Sequence, residues 1–142
     1  MKSMTTKEFL DHKNLALIRL STLTPVMGAK LDVELAKKGY DITVVYLEAG
    51  RSEPSIADLK DQVEGAIIAL PKKKCADAVF AAALIGIPRL WIQDGCASQE
   101  ALELCEERGV PVISNACVLM YAEPVKSVHA FHRWLWKLFG RL

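Results

Sequence analysis

No run in this chain approaches the ~20 consecutive apolar residues that a membrane-spanning helix requires. None of its four cysteines, Cys75, Cys96, Cys105 and Cys117, falls at C-x-x-C spacing, so neither a zinc ribbon nor a dithiol redox motif is indicated. Neither sign of charge is in excess. Eighteen Lys and Arg against 17 Asp and Glu leave +1 over 142 residues, which provides no bulk field for a nucleic acid, and any polyanion must be met by a local site. A G-x-G-x-x-G fingerprint is also missing, as are internal repeats and low-complexity tracts. The opening "MKSMTTKEFLDHKNLAL" is too polar for the apolar segment of an export signal. Together with cysteines set inside apolar or helical patterns, this predicts a cytoplasmic protein with reduced thiols.

What is present is a repeating pattern. Five short segments rich in Val, Ile and Leu recur: "LALIRL", "DITVVYL", "GAIIALP", "PRLWIQ" and "VPVIS". They are near-continuously apolar rather than alternating, as parallel strands covered on both faces are. Between them lie helical patterns: "MGAKLDVELAKKGY" with a Met27, Leu31, Leu35 stripe and Gly39 as cap, "PSIADLKDQ", the Ala-rich "CADAVFAAALIG", and "SQEALELCEERG" between a Ser98 N-cap and Gly109. Regular alternation of strand and helix predicts a doubly wound α/β domain of Rossmann type, with a five-stranded parallel sheet, over residues 1–142, its first 14 residues forming a helical lead-in. The expected strand order is 3-2-1-4-5, with a ligand crevice at the carboxyl ends of strands 1 and 4. Residues 122–142 add an amphipathic helix whose apolar face carries Val128, Phe131, Trp134, Leu135, Leu138 and Phe139, opposite His129, Arg133 and Lys137. It predicts packing on the domain itself or on a sister subunit in a homodimer; a basic helix bearing Trp can also lie on an anionic membrane.

Three stretches carry chemistry. In "ALIRLSTLTPVMGAK" a strand meets a loop of hydroxylated residues and then a helix, where unpaired N–H groups attract phosphate. Ser21, Thr22 and Thr24 can donate hydroxyls, Gly28 permits close backbone approach, and Arg19 and Lys30 carry charge. A polar loop without a ligand fits the same letters. In "LPKKKCAD", Pro71, Lys72 and Lys73 follow strand 3 and precede a helix N-terminus, where cations are disfavoured unless an anion is near; Arg51 after strand 2 joins that rim, and a solvated charge run is the plainer explanation. In "LWIQDG", Gln93 can bond an amide or carbonyl and Gly95 leaves room, or the motif is simple turn chemistry.

No catalytic constellation assembles. Cys117 has no neighbouring base and reads as structural. His129 and His132 lack a third metal ligand, and Glu48, Glu53 and Asp94 are isolated acids. An NAD-type oxidoreductase is disfavoured, because Glu48 lies two residues too late to serve as the ribose acid after strand 2.

From Lys7 to Tyr121 the chain resembles the small stand-alone CoA-binding domain proteins, related to the N-terminal domain of succinyl-CoA synthetase alpha subunits. The resemblance rests on "LALIRLSTLTPVMGAKLDVELAKKGYDITVV", on "LPKKKCADAVFAAALIGIPRLWIQDG" with its Trp-x-Gln-x-Gly, and on "SQEALELCEERGVPVISNAC". It implies a Rossmann-like fold holding CoA, with the diphosphate at the first loop and the adenosine near strand 2; with no catalytic constellation in the chain, the expected function is a non-catalytic CoA or acyl-CoA binding module. On matching positions it nominates Ser21, Thr22, Gly28 and Lys30, then Pro71 and Lys72, then Gln93 and Gly95. Two positions depart from the pattern: Arg19-Leu20-Ser21 stands in place of a Gly-x-Ser turn, and Tyr46-Leu47 in place of Asn-Pro. Arg19 either substitutes charge for the lost glycine or fills the diphosphate site. In the second case the domain has lost CoA and works through protein contact.

Overall fold

The computed structural model describes residues 4–20 and 30–122. A short helix α1 (Thr6–Leu10), capped by the Thr5 hydroxyl accepting from the Glu8 N–H, leads into β1 (Asn14–Arg19). Then follow α2 (Leu31–Lys37), β2 (Asp41–Tyr46), a 3-10 turn at Ile56–Leu59, β3 (Gly65–Ile68), α3 (Lys72–Leu84), β4 (Leu90–Gln93), α4 (Gln99–Arg108), β5 (Val112–Ala116) and a second 3-10 turn at Val118–Met120.

All five strands are parallel, in the order β2-β1-β3-β4-β5. The doubly wound α/β class is as expected; the expected order 3-2-1-4-5 is corrected, because β3 lies between β1 and β4 rather than at an edge. The reason is burial. Every residue of β3 is buried, as a strand paired on both sides and covered on both faces must be, whereas β2 exposes Asp41 and Thr43 and suits an edge. The expected place of the ligand crevice shifts accordingly. Strand order now reverses between β1 and β3, so the switch point lies at their carboxyl ends rather than between strands 1 and 4.

Strand alternation divides the core into two layers. Ala16, Ile18, Ala66, Ile68, Leu90 and Ile92 face α3, α4 and the first 3-10 turn, while Leu15, Leu17, Ile67 and Trp91 face α1, α2 and the second. Leu15, Leu17, Ile18, Ile67 and Ile68 are fully buried, each contributing about 1.5–3 kcal/mol. Trp91 meets Phe9 edge to face at 5.4 Å and donates its indole N–H to the Ala116 carbonyl at 2.9 Å, so the largest core side chain leaves no polar atom unpaired.

The buried face of α3 is built from Cys75, Ala78, Val79 and Ala82, all small or compact. Helix α4 begins as expected on Ser98, whose hydroxyl accepts from the Ala101 N–H at 3.1 Å, and ends on Gly109 with a φ of +68°. The stretch "PSIADLKDQ" forms only the 3-10 turn, held by a capping box between Ser55 and Asp58. Among the described residues no helix is long and apolar enough to cross a membrane. The expected C-terminal amphipathic helix lies outside the described residues, with its histidines and tryptophans.

Candidate functional site

The switch point is framed by the ends of β1 and β3, joined by the Ala69 N–H donating to the Ile18 carbonyl at 3.0 Å. Arg19 is the last residue of β1. Alternation along the strand sends its side chain to the α2 face, on the same side as Leu15 and Leu17. Its Nη1 lies 3.7 Å from Asp32 Oδ1 and its guanidinium carbon 6.0 Å from the Tyr46 ring centre, with Tyr46 directly across in the β1–β2 register. Asp32 sits in the first turn of α2, where a carboxylate suits the positive helix end. Its Oδ1 is nonetheless buried and accepts no hydrogen bond. Arg19 thus lies toward the Asp32 carboxylate and the Tyr46 ring on the α2 side of the sheet.

On the other side of the switch point the chain leaves β3 through Ala69 and Leu70, and Pro71 caps α3. Proline suits this place, since its ring presets the backbone dihedral and its missing N–H is not required. The helix has no side-chain cap, and its first turn contains Lys72, Lys73 and Lys74 with no acid. The lysines therefore lie inside the helix rather than before it. Lys72 and Lys73 are exposed, while Lys74 is half-buried and its Nζ meets Glu48 Oε2 at 2.7 Å. Glu48 comes from the turn after β2, so this ion pair links the β2 rim to α3.

Lys30 is the exposed N-cap of α2 and makes no side-chain cap bond. Ser21, Thr22 and Gly28 lie outside the described residues. Arg51 is exposed in the turn region after β2. Among the described residues Gln93 is the buried polar residue of the core. Its Oε1 accepts from the Val118 N–H at 2.7 Å, and its Nε2 donates to Cys117 Sγ at 3.5 Å. Both ends of this amide are therefore engaged within the fold. Gly95 has a φ of +84°, and a Cβ there would meet nothing within 4 Å, so the turn geometry rather than crowding accounts for glycine.

Burial pushes the Cys75 thiol up to about 12 and that of Cys105 to about 11, and it raises Cys96 as well. These three are poor nucleophiles at neutral pH. Among the described residues no three His, Cys, Asp or Glu side chains gather as metal ligands would. The arrangement sets Arg19 at the end of β1 and the lysines of the first turn of α3 after β3, cations of a kind suited to a polyphosphate.

Sequence reasoning missed the Arg19–Asp32–Tyr46 grouping and the Lys74–Glu48 pair. Both depend on strand register and neighbour order. The available signal was modest: Arg19 and Tyr46 each end a strand, and strands 1 and 2 pair in either order.

A family model described as "CoA binding domain" matches residues 14–123. Among solved structures the fold is similar to a conserved hypothetical protein from Pyrococcus furiosus, 23% identical with a TM-score of 0.63, the match covering 75% of this chain and 96% of that one. It is also similar to a hypothetical protein from Pyrococcus horikoshii OT3, 26% identical with a TM-score of 0.64, over 80% of this chain and 84% of the other. A Thermus thermophilus protein, 20% identical with a TM-score of 0.62, is covered over 99% of its length by 93% of this chain. No curated protein matches the chain.

Proposed function

The chain belongs to the CoA-binding domain family, and from that premise we propose that it is a non-catalytic module for CoA or acyl-CoA. The observation that carries the reading is the pairing of Arg19 at the end of β1 with the uncapped, lysine-bearing start of α3 after β3, the two flanking one switch point. A diphosphate placed there would meet the α3 N–H groups, Lys72 and Lys73 on one side and Arg19 on the other. Ser21, Thr22, Gly28 and Lys30 belong to the same first-loop proposal. Pro71 contributes by setting the direction of α3, and Gly95 by holding the β4 turn. For Gln93 the proposal is reduced to support, since both ends of its amide are used internally.

Calorimetric titration with CoA tests this. Saturable heat at micromolar to millimolar ligand is expected, and heat-silent mixing with a folded sample overturns it. Arg19→Gln distinguishes the two roles of Arg19: weaker binding supports a cation that grips the phosphate, and tighter binding supports a side chain that obstructs it.

A second reading is a degenerate Rossmann domain that acts through protein contact, by a homodimer through its last helix. The internal engagement of Gln93 and the Arg19–Asp32 contact favour it, because each draws an expected ligand group into the fold itself. Truncation before Lys126 should then release monomers or cost solubility, and an unchanged soluble monomer counts against it.

A further inference from the structure

The Lys74–Glu48 contact is tighter than the Arg19–Asp32 contact, at 2.7 Å against 3.7 Å, and joins segments 26 residues apart. Lys74 lies in the first turn of a 13-residue helix that has neither a side-chain cap nor an acid of its own there. Each of three consecutive ammonium groups at the positive end of a helix is disfavoured by the helix dipole. Glu48 relieves that conflict from outside the helix, with a carboxylate delivered by the turn after β2. The two partners differ in exposure. The Glu48 side chain is 58% exposed and that of Lys74 28%, so the carboxylate is the partner more open to water.

We propose that Glu48 is an internal competitor for the ligand's phosphate, a latch from the β2 rim that occupies Lys74 until a polyphosphate displaces it. The inference rests on the CoA-binding reading and adds to it a regulatory contact. Because β2 neighbours β1, which neighbours β3, the latch passes over the end of β1 beside the switch point. Binding is then an exchange: one carboxylate leaves Lys74 and one phosphate oxygen takes its place. Affinity is held below what the bare cations would give, and any contact that draws Glu48 away raises it.

The test is titration of the full chain and of Glu48→Gln with CoA and, separately, with inorganic pyrophosphate, at low ionic strength. Glu107→Gln, which removes an equal charge from the exposed side of α4, is the control. Glu48→Gln should bind both probes about threefold to tenfold more tightly, the scale of one exposed ion pair together with relief of like-charge repulsion, and Glu107→Gln should change little. Glu48→Ala should behave as Glu48→Gln does. Equal or weaker CoA binding by Glu48→Gln overturns the latch and leaves the CoA reading standing. Tighter pyrophosphate binding with no response to CoA supports the latch and overturns the CoA reading. Silence of both probes toward both proteins overturns both.

Discussion

The side-chain oxygen of Gln93 at the end of β4 accepts the Val118 N–H at 2.7 Å, so one strand end fixes the chain leaving its neighbour. The same amide donates to Cys117. This pair of bonds lies beside a shift in the β4–β5 register between Trp91 and Gln93, where Asn115 takes a φ of +61°. The amide compensates for a ladder that is locally out of step.

Replacing Gln93 by Leu leaves the buried Val118 N–H without its acceptor. A loss of about 1–3 kcal/mol is expected, the cost of one unsatisfied buried donor, read as a lower urea midpoint with an unchanged slope. A midpoint equal to wild type would mean that water or another carbonyl replaces the amide.

Gly65 opens β3 where the sheet, α1 and the β4 lead-in converge. A Cβ there would lie 2.9 Å from Arg89 Cγ and 3.2 Å from both Leu15 Cδ2 and Phe9 Cε2. The Arg89 stem is held in turn by its guanidinium donating to the Glu64 carbonyl. Gly65→Ala should therefore destabilise by about 1–3 kcal/mol through overpacking, lowering the melting temperature by several degrees. Arg89→Ala in the same background should restore part of the loss, since it removes the nearest obstacle.

The buried thiols predict an alkaline limit. Cys75 is held protonated to about 12 against an ordinary 9.0, so between those values the folded chain carries a proton that the unfolded chain releases. Stability is accordingly full below about pH 9 and declines as pH rises toward about 12. Denaturant midpoints measured across that range should fall, and Cys75→Ala should flatten the decline even if it begins from a lower value. At neutral pH, Cys75, Cys96 and Cys105 should resist alkylation until the chain unfolds.

Lys72→Ala with Lys73→Ala should weaken CoA binding and make it less sensitive to salt, because two exposed cations beside the switch point no longer attract the phosphates. The melting temperature should hold or rise slightly, since both lysines oppose the helix dipole. Calorimetry at two salt concentrations checks the first expectation and a thermal melt the second. Unchanged affinity would place the phosphates elsewhere.

Much of the fold was legible because it is local. The five apolar segments became the five strands, Ser98 and Gly109 bound α4, and Gly39 and Gly86 take the positive φ expected just past helix ends. Two element readings were displaced for local reasons. The Ala-rich helix starts at Lys72, three residues earlier than Cys75, because Pro71 supplies a better start than any later residue. The segment after β2 is too short and polar to extend its capped 3-10 turn into an α-helix.

The candidate site was legible only as a set of residue types. Sequence alone determined that small or polar residues follow the strands and that a lysine run follows the third, since those letters come directly after the apolar runs. Tertiary structure decided which strands are neighbours, and with that where the switch point lies. It also decided that Arg19 faces Asp32, that Glu48 reaches Lys74, and that Gln93 turns inward. The physical reason is the range of the forces involved. Helix caps and strand alternation are set by contacts within a few residues, whereas strand order and rim ion pairs join segments such as Glu48 and Lys74, 26 residues apart, whose meeting depends on how the whole sheet buries its faces.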